Sequence, residues 1–326
     1  MGMSYQGFGS GKLLLFGEHA AVMGYPALGL GLEQGIEVEL EPEAETRRWA
    51  LEGRGEEDGA TAREVMKRLD ASLAGLPSGG TIRVRSELPE GRGFGSSAAL
   101  CVALAEAGLR AAGTPEVLRH RNLVWGIAHH AEGYFHGSPS GIDTGLATLG
   151  GLIAFRPSPP ELPQWRRLQP RRLAFLVGSA PRNARAKALI AEIKARSGQA
   201  DSLEAKRLAR LGALSEAAEA LFDGGGSDGG SESFKLSIQL GSLAREAQVE
   251  LAGLGLVDQT VAALVAAGEA AGSPGGKMSG AGGGGAFWLV YPDLDGARHG
   301  EEALRRRASS LGLGDGLSLE VLDMVP

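Results

Sequence analysis

The stretch Pro89-Glu90-Gly91-Arg92-Gly93-Phe94-Gly95-Ser96-Ser97-Ala98-Ala99 stands directly ahead of an Ala-, Leu- and Val-rich segment that runs to about Ala112. Three glycines and two serines before a helix make an anion cradle. Glycine lets the backbone approach a ligand closely, while the unpaired N–H groups and the positive end of the helix dipole face it. The hydroxyl of Ser96 or Ser97 is suited to cap the helix or to ligate a metal. Two better-known glycine loops fit poorly. A dinucleotide fingerprint needs a buried strand before the glycines and an acidic residue about 20 positions on, whereas Glu87, Pro89 and Glu90 precede the loop and only Glu116 follows, in a Gly/Pro turn. A Walker A loop at Gly11-Lys12 fails on Gln6 and Leu13. A glycine-rich helix start with no ligand is the plain alternative.

Working outward, Lys12 to Phe16 is a short apolar run of the kind a buried strand makes, ending in Gly17-Glu18-His19. Ile36 to Leu40 and Thr81 to Ser86 alternate apolar and charged residues, which predicts half-buried strands, and Arg47 to Leu51 predicts another. Thr61 to Leu73 carries Val65, Met66, Leu69 and Leu73 at helical spacing, and Leu118 to Phe135 predicts a second helix. The five prolines of Arg156 to Pro170 predict a boundary, so the expected division is 1–170 and 171–326. Beyond it come a strand at Leu173 to Gly178, helices at Ala184 to Ala195 and Ala205 to Leu221, and a mobile loop at Asp223 to Ser233. A glycine loop at Lys277 to Gly285 and a strand at Ala286 to Tyr291 follow. Mixed helices and strands in each half predict two α+β domains with a site in the crevice between them.

Bulk properties narrow the function. The 326 residues, 43% hydrophobic and 22% charged, suffice for a large core. A net charge of -6 argues against a nucleic-acid partner. No apolar run approaches a bilayer span and no secretory leader is visible, so a cytoplasmic protein without a membrane partner is expected. Gly2 has Gln6 where a myristoylation signal needs Ser or Thr. The single cysteine, Cys101, lies in an apolar stretch and predicts a buried thiol.

Phosphoryl transfer needs oxygen ligands for Mg²⁺, a cation on the phosphates and a carboxylate near the attacking hydroxyl. Glu132, Lys12 and Asp143 are residues of the right kinds, although each alone is generic. His129, Glu132 and His136 at i, i+3 and i+7 also suit one helix face, yet no His-Glu-x-x-His pattern supports zinc.

Three separated segments together resemble the GHMP kinases, the family of galactokinases, homoserine kinases, mevalonate kinases and phosphomevalonate kinases. They are Gly11-Lys12-Leu13-Leu14-Leu15-Phe16-Gly17-Glu18-His19-Ala20-Ala21-Val22-Met23-Gly24, the Pro89 to Ala99 loop, and Lys277-Met278-Ser279-Gly280-Ala281-Gly282-Gly283-Gly284-Gly285. Ala20-Ala21-Val22 after Glu18-His19 differs from the Thr-Asp-Tyr of the sugar kinases. Ser138-Pro139-Ser140-Gly141-Ile142-Asp143 and Pro181-Arg182-Asn183 resemble the mevalonate branch; Ala184 departs from it, where many relatives have threonine. The resemblance implies an α+β, two-domain GHMP kinase fold, with an N-terminal domain like ribosomal protein S5 domain 2 and a ferredoxin-like C-terminal domain. It implies an ATP- and Mg²⁺-dependent transfer to the primary hydroxyl of mevalonate, with another GHMP kinase activity or a non-catalytic binding protein as alternatives. Asp143 and Lys12 would be catalytic. Gly91, Gly93, Phe94, Gly95, Ser96, Ser97 and Ala98 would bind ATP, Ser97 and Glu132 the metal, and Glu18, His19, Arg182 and Arg185 the small-molecule substrate. A monomer or homodimer is expected.

Overall fold

The computed structural model describes residues 3–52, 56–89, 91–137, 139–182, 202–223 and 230–325. The predicted helix Ala184 to Ala195 and Arg185 therefore lie outside the described residues. The first sheet is built from β1 (Tyr5–Phe16), β2 (Ala27–Pro42), β3 (Trp49–Leu51), β4 (Gly80–Ser86), β5 (Gly151–Ser158) and β6 (Glu161–Arg167). Its order is β3-β4-β2-β5-β6, with β1 pairing along β2, and only β3 and β4 run parallel. The second sheet, β10-β7-β9-β8, is antiparallel throughout and comprises β7 (Leu173–Ala180), β8 (Gly275–Met278), β9 (Gly285–Tyr291) and β10 (Ser318–Met324).

Helices α1 (Glu56–Asp70), α2 (Ser96–Ala111), α3 (Arg121–His136) and α4 (Ile142–Leu149) belong to the first half. Helices α5 (Leu203–Ala220), α6 (Gly230–Gly253), α7 (Gln259–Ala270) and α8 (Leu294–Ser310) belong to the second. α2 lies directly on β1 and β2. Gly7 and Gly9 permit this, since a Cβ at either would strike the backbone of α2 at Ala103 or Ala99. The Ala-rich composition of α2 serves the same close approach, and that packing fixes where its N-terminus points. Val65, Met66, Leu69 and Leu73 are all buried, as their spacing predicts.

The halves share a core. Trp288 of β9 meets Phe16 of β1 edge-on at 5.8 Å and Phe175 of β7 at 5.6 Å, pairs that each add about 0.5–1.5 kcal/mol beyond area burial. α5 packs across onto β1 and β2, and its Glu219 pairs with Arg156 and Arg166 of the first sheet.

Three expectations change. Most of Arg156 to Pro170 is not a linker but the β5–β6 hairpin, paired from Ile153↔Arg167 to Arg156↔Gln164 and, after a register shift, at Ser158↔Glu161. β6 is an edge strand, where a proline's missing N–H leaves no ladder bond broken. The segment around Asp143 is not only a turn, because α4 begins at Ile142 behind a left-handed Gly141. Within Asp223 to Ser233, residues 230–233 open α6, while 224–229 lie outside the described residues. No helix among the described residues is long and apolar enough to cross a membrane.

Candidate active site

The end of β1, the N-termini of α2 and α4, and the β8–β9 loop border one cavity of about 530 Å³. At its centre, Gly91, Gly93 and Gly95 adopt left-handed φ values of 67°, 98° and 77°. Gly95 is the N-cap of α2 and supplies no side-chain cap, so the first-turn N–H groups stay available to a ligand. The Lys12 N–H donates to Phe94 O at 2.9 Å, and the Lys12 side chain runs beneath the loop. A Cβ on Gly95 would lie 2.6 Å from Lys12 Cγ.

Lys12 Nζ reaches Asp143 Oδ2 at 3.2 Å; the lysine is 6% exposed and the aspartate 35%. Glu132 of α3 is buried, and neither carboxylate oxygen has a hydrogen-bond partner. Burial, then the charge of Asp143, pushes its pKa up to about 8, against the opposing pull of Lys12. His136 stands one turn further along α3. Its Nε2 is 3.5 Å from Ser97 Oγ and 3.9 Å from Glu132 Oε1, so the imidazole spans the two residues expected to hold a metal. Among the described residues no group of three or more His, Cys, Asp and Glu has the geometry to hold a metal ion.

The far end of the cavity carries Glu18 and His19, on a turn where His19 takes φ 57°, uncommon for a non-glycine residue. The His19 ring hydrogen-bonds to the backbone of Ala281 and Gly280, and Nε2 has no partner. Burial lowers its pKa to about 4, so the ring is neutral at ordinary pH. Glu18 Oε1 pairs with Lys277, and Oε2 has no partner. Arg182 lies against Gly93 of the phosphate loop and Gly285 of the second sheet, and its partial burial disfavours the charge that Asp143 supports.

The structure thus gathers Lys12, Asp143, Glu18, His19, Arg182, Gly91, Gly93, Gly95, Ser96 and Ser97 on one cavity. Glu132 lies behind it, beside His136. Phe94 and Ala98 are buried, their backbone carrying the loop into α2. Lys277 differs from expectation: it is not part of the glycine loop but a wholly buried residue of β8. Sequence reasoning also missed the apolar end of the cavity, where Ile36, Leu51, Ala62, Val84 and Leu100 meet. They come from five elements, and each reads in the sequence as ordinary core.

The model of the GHMP kinases N terminal domain matches residues 60–151, a span that contains the glycine loop, Glu132 and Asp143. Over those residues the chain carries a GHMP kinase N-terminal domain. A mevalonate kinase of Thermococcus sibiricus is 27% identical over 312 residues, covering 86% of this chain and 87% of the relative. Among solved structures, Leishmania major mevalonate kinase in complex with R-mevalonate superposes with a TM-score of 0.76 at 19% identity, covering 98% and 96% of the two chains. Streptococcus pneumoniae phosphomevalonate kinase in complex with phosphomevalonate and AMPPNP gives 0.73 at 17% identity, covering 98% and 99%. The GHMP kinase fold is common to both, so the acceptor must be argued from the site.

Proposed function

We propose that this chain transfers the γ-phosphoryl group of ATP to the primary hydroxyl of mevalonate, forming 5-phosphomevalonate and ADP. The observation that carries the reaction type is the Lys12–Asp143 pair at 3.2 Å beneath an uncapped helix N-terminus. Asp143 accepts the hydroxyl proton, or orients the hydroxyl, as the new O–P bond forms and the bond to ADP breaks. Lys12 orients the Asp143 carboxylate from 3.2 Å and faces the charge of the transferring group. The amides from Gly93 to Ala98 cradle the phosphates, with Gly91, Phe94 and Ser96 shaping the loop. The apolar end beyond Leu100 suits the adenine base.

A divalent cation fits the residues present. Glu132 is an anion-forming group with both oxygens buried and unpartnered, and His136 Nε2 lies within 3.9 Å of its Oε1 and 3.5 Å of the Ser97 hydroxyl. Glu132 and Ser97 would hold Mg²⁺, which would supply positive charge against that of the phosphates.

Relatives named mevalonate kinase along most of both lengths support the acceptor. Local chemistry supports it too. Glu18 Oε2 is a hydrogen-bond acceptor, and a neutral His19 donating through Nδ1 presents Nε2 as a second. Such a wall suits the hydroxyls of an alcohol. Arg182 suits one carboxylate; a phosphate ester would bring a further dianion needing several more donors. We also propose 1–170 and 171–326 as the two domains.

The deciding experiment is ADP release with ATP and mevalonate, phosphomevalonate, galactose or homoserine. We expect kcat/KM for mevalonate to exceed that for phosphomevalonate by at least roughly a hundredfold, the scale of one well-paired charged contact. A preference for phosphomevalonate moves the acceptor assignment and leaves the mechanism in place. Turnover of galactose or homoserine alone overturns the acceptor, and turnover of none overturns the enzyme.

A further inference from the structure

The acceptor turn is held from the opposite sheet. Ser279 Oγ donates to Leu14 O at 2.8 Å and accepts from Leu14 N at 3.0 Å. Lys277 Nζ donates to Leu15 O at 3.0 Å, to Met278 O at 2.8 Å and to Glu18 Oε1. The rings of Phe16 and Trp288 each lie 5.6 Å from the same ammonium. All three Lys277 protons are therefore committed, and the ammonium is caged by aromatic faces.

The side chains of Lys277 and Glu18 are both 0% exposed. A buried ion pair is weak evidence for stability, because desolvating two charges offsets most of their attraction and apolar residues of similar volume often do as well. A role in stability alone also leaves one detail unexplained. Lys277 is fully satisfied, yet Glu18, a residue of the cavity lining, keeps Oε2 buried and without a partner. Buried polar atoms without partners are rare, and at a cavity wall they mark where a ligand atom completes the bond.

We propose that Lys277 is a positioning residue for the alcohol substrate. It fixes the Glu18 carboxylate so that Oε2 accepts a hydrogen bond from a substrate hydroxyl other than the one phosphorylated. The proposal rests on the function given above and deepens it: the acceptor is a diol or polyol, and its non-reacting hydroxyl is read by a carboxylate set from the other sheet.

Steady-state kinetics and thermal unfolding of the full chain test this with Lys277→Met, Glu18→Gln and the double variant. Each variant should raise KM for mevalonate at least roughly tenfold, with KM for ATP within about threefold of wild type, as expected when a contact on the acceptor side alone is lost. Lys277→Met strands the Glu18 charge in the core and should lower Tm. The double variant carries neither charge, so Tm should recover while KM for mevalonate stays high, a split that a purely structural role would not give. A double variant with wild-type Tm and wild-type KM for mevalonate overturns the proposal, and so does an equal rise in both KM values. If the wild-type chain accepts a different alcohol, the substrate assignment falls by itself, and the same KM comparison on that alcohol decides the role of Lys277.

Discussion

A methyl group on Gly95 would have two effects at once. The φ of 77° costs a non-glycine residue about 1–2 kcal/mol, and the new Cβ would sit 2.6 Å from Lys12 Cγ. Gly95→Ala should therefore displace Lys12 from Asp143 and lower kcat by at least roughly tenfold, with only a modest fall in Tm; kcat at the wild-type level would mean that Lys12 does not act through its present position. Asp143→Asn probes the other partner directly. It should cost at least roughly a hundredfold in kcat while nucleotide binding, followed by titration calorimetry, survives. Lys12 and Asp143 were legible in the sequence because each lies in a motif that resembles a known family. Lys277 was not. It stands beside a run of glycines, and its partner Glu18 is 259 residues away, so nothing local shows that the ammonium is buried.

Elements carry the next set of consequences. α2 supplies Ser97 and α3 supplies Glu132, and His136 Nε2 lies 3.5 Å from the hydroxyl of one and 3.9 Å from the carboxylate of the other. Ser97→Ala and Glu132→Gln should both raise the Mg²⁺ concentration needed for half-maximal rate; unchanged titrations in both would displace the metal from this pair. The β8–β9 loop ties down β1 through one hydroxyl. Ser279→Ala removes the partner of both the N–H and the C=O of buried Leu14, and two unsatisfied backbone groups should cost about 2–4 kcal/mol in denaturant unfolding. Helices with an apolar stripe, such as α1, were readable from periodicity. α4 and β6 were hidden because Gly141 and four prolines between Pro157 and Pro163 read as breaks. In the fold, those residues serve as a helix cap and an edge hairpin, uses that depend on neighbours the sequence does not name.

At the scale of the molecule, burial of His19 links the acceptor wall to pH. Its folded pKa is about 4, below the unfolded value of 6.5, so between those values the unfolded chain binds the proton and the folded chain does not. Stability contributed by neutral His19 is full above pH 6.5 and falls as the pH drops towards 4, by up to about 3 kcal/mol. Unfolding free energies measured from pH 7 to 4 should fall more steeply for the wild type than for His19→Asn, whose residue tolerates the same backbone angle. Parallel curves would mean that the ring takes up its proton inside the fold. The two-sheet α+β plan was expected from the mixture of strands and helices in each half, but the sharing of one core by both halves was not, since it depends on contacts between Phe16 and Trp288 that no local pattern encodes. The Glu18–Lys277 tie also bears on how the chain is made. At roughly 5–20 residues per second on the ribosome, the lysine emerges about 15–50 s after the glutamate. Throughout that interval the first strand can gather its helices, but its substrate-facing end must wait, unfinished, for a residue 259 positions further along to be made.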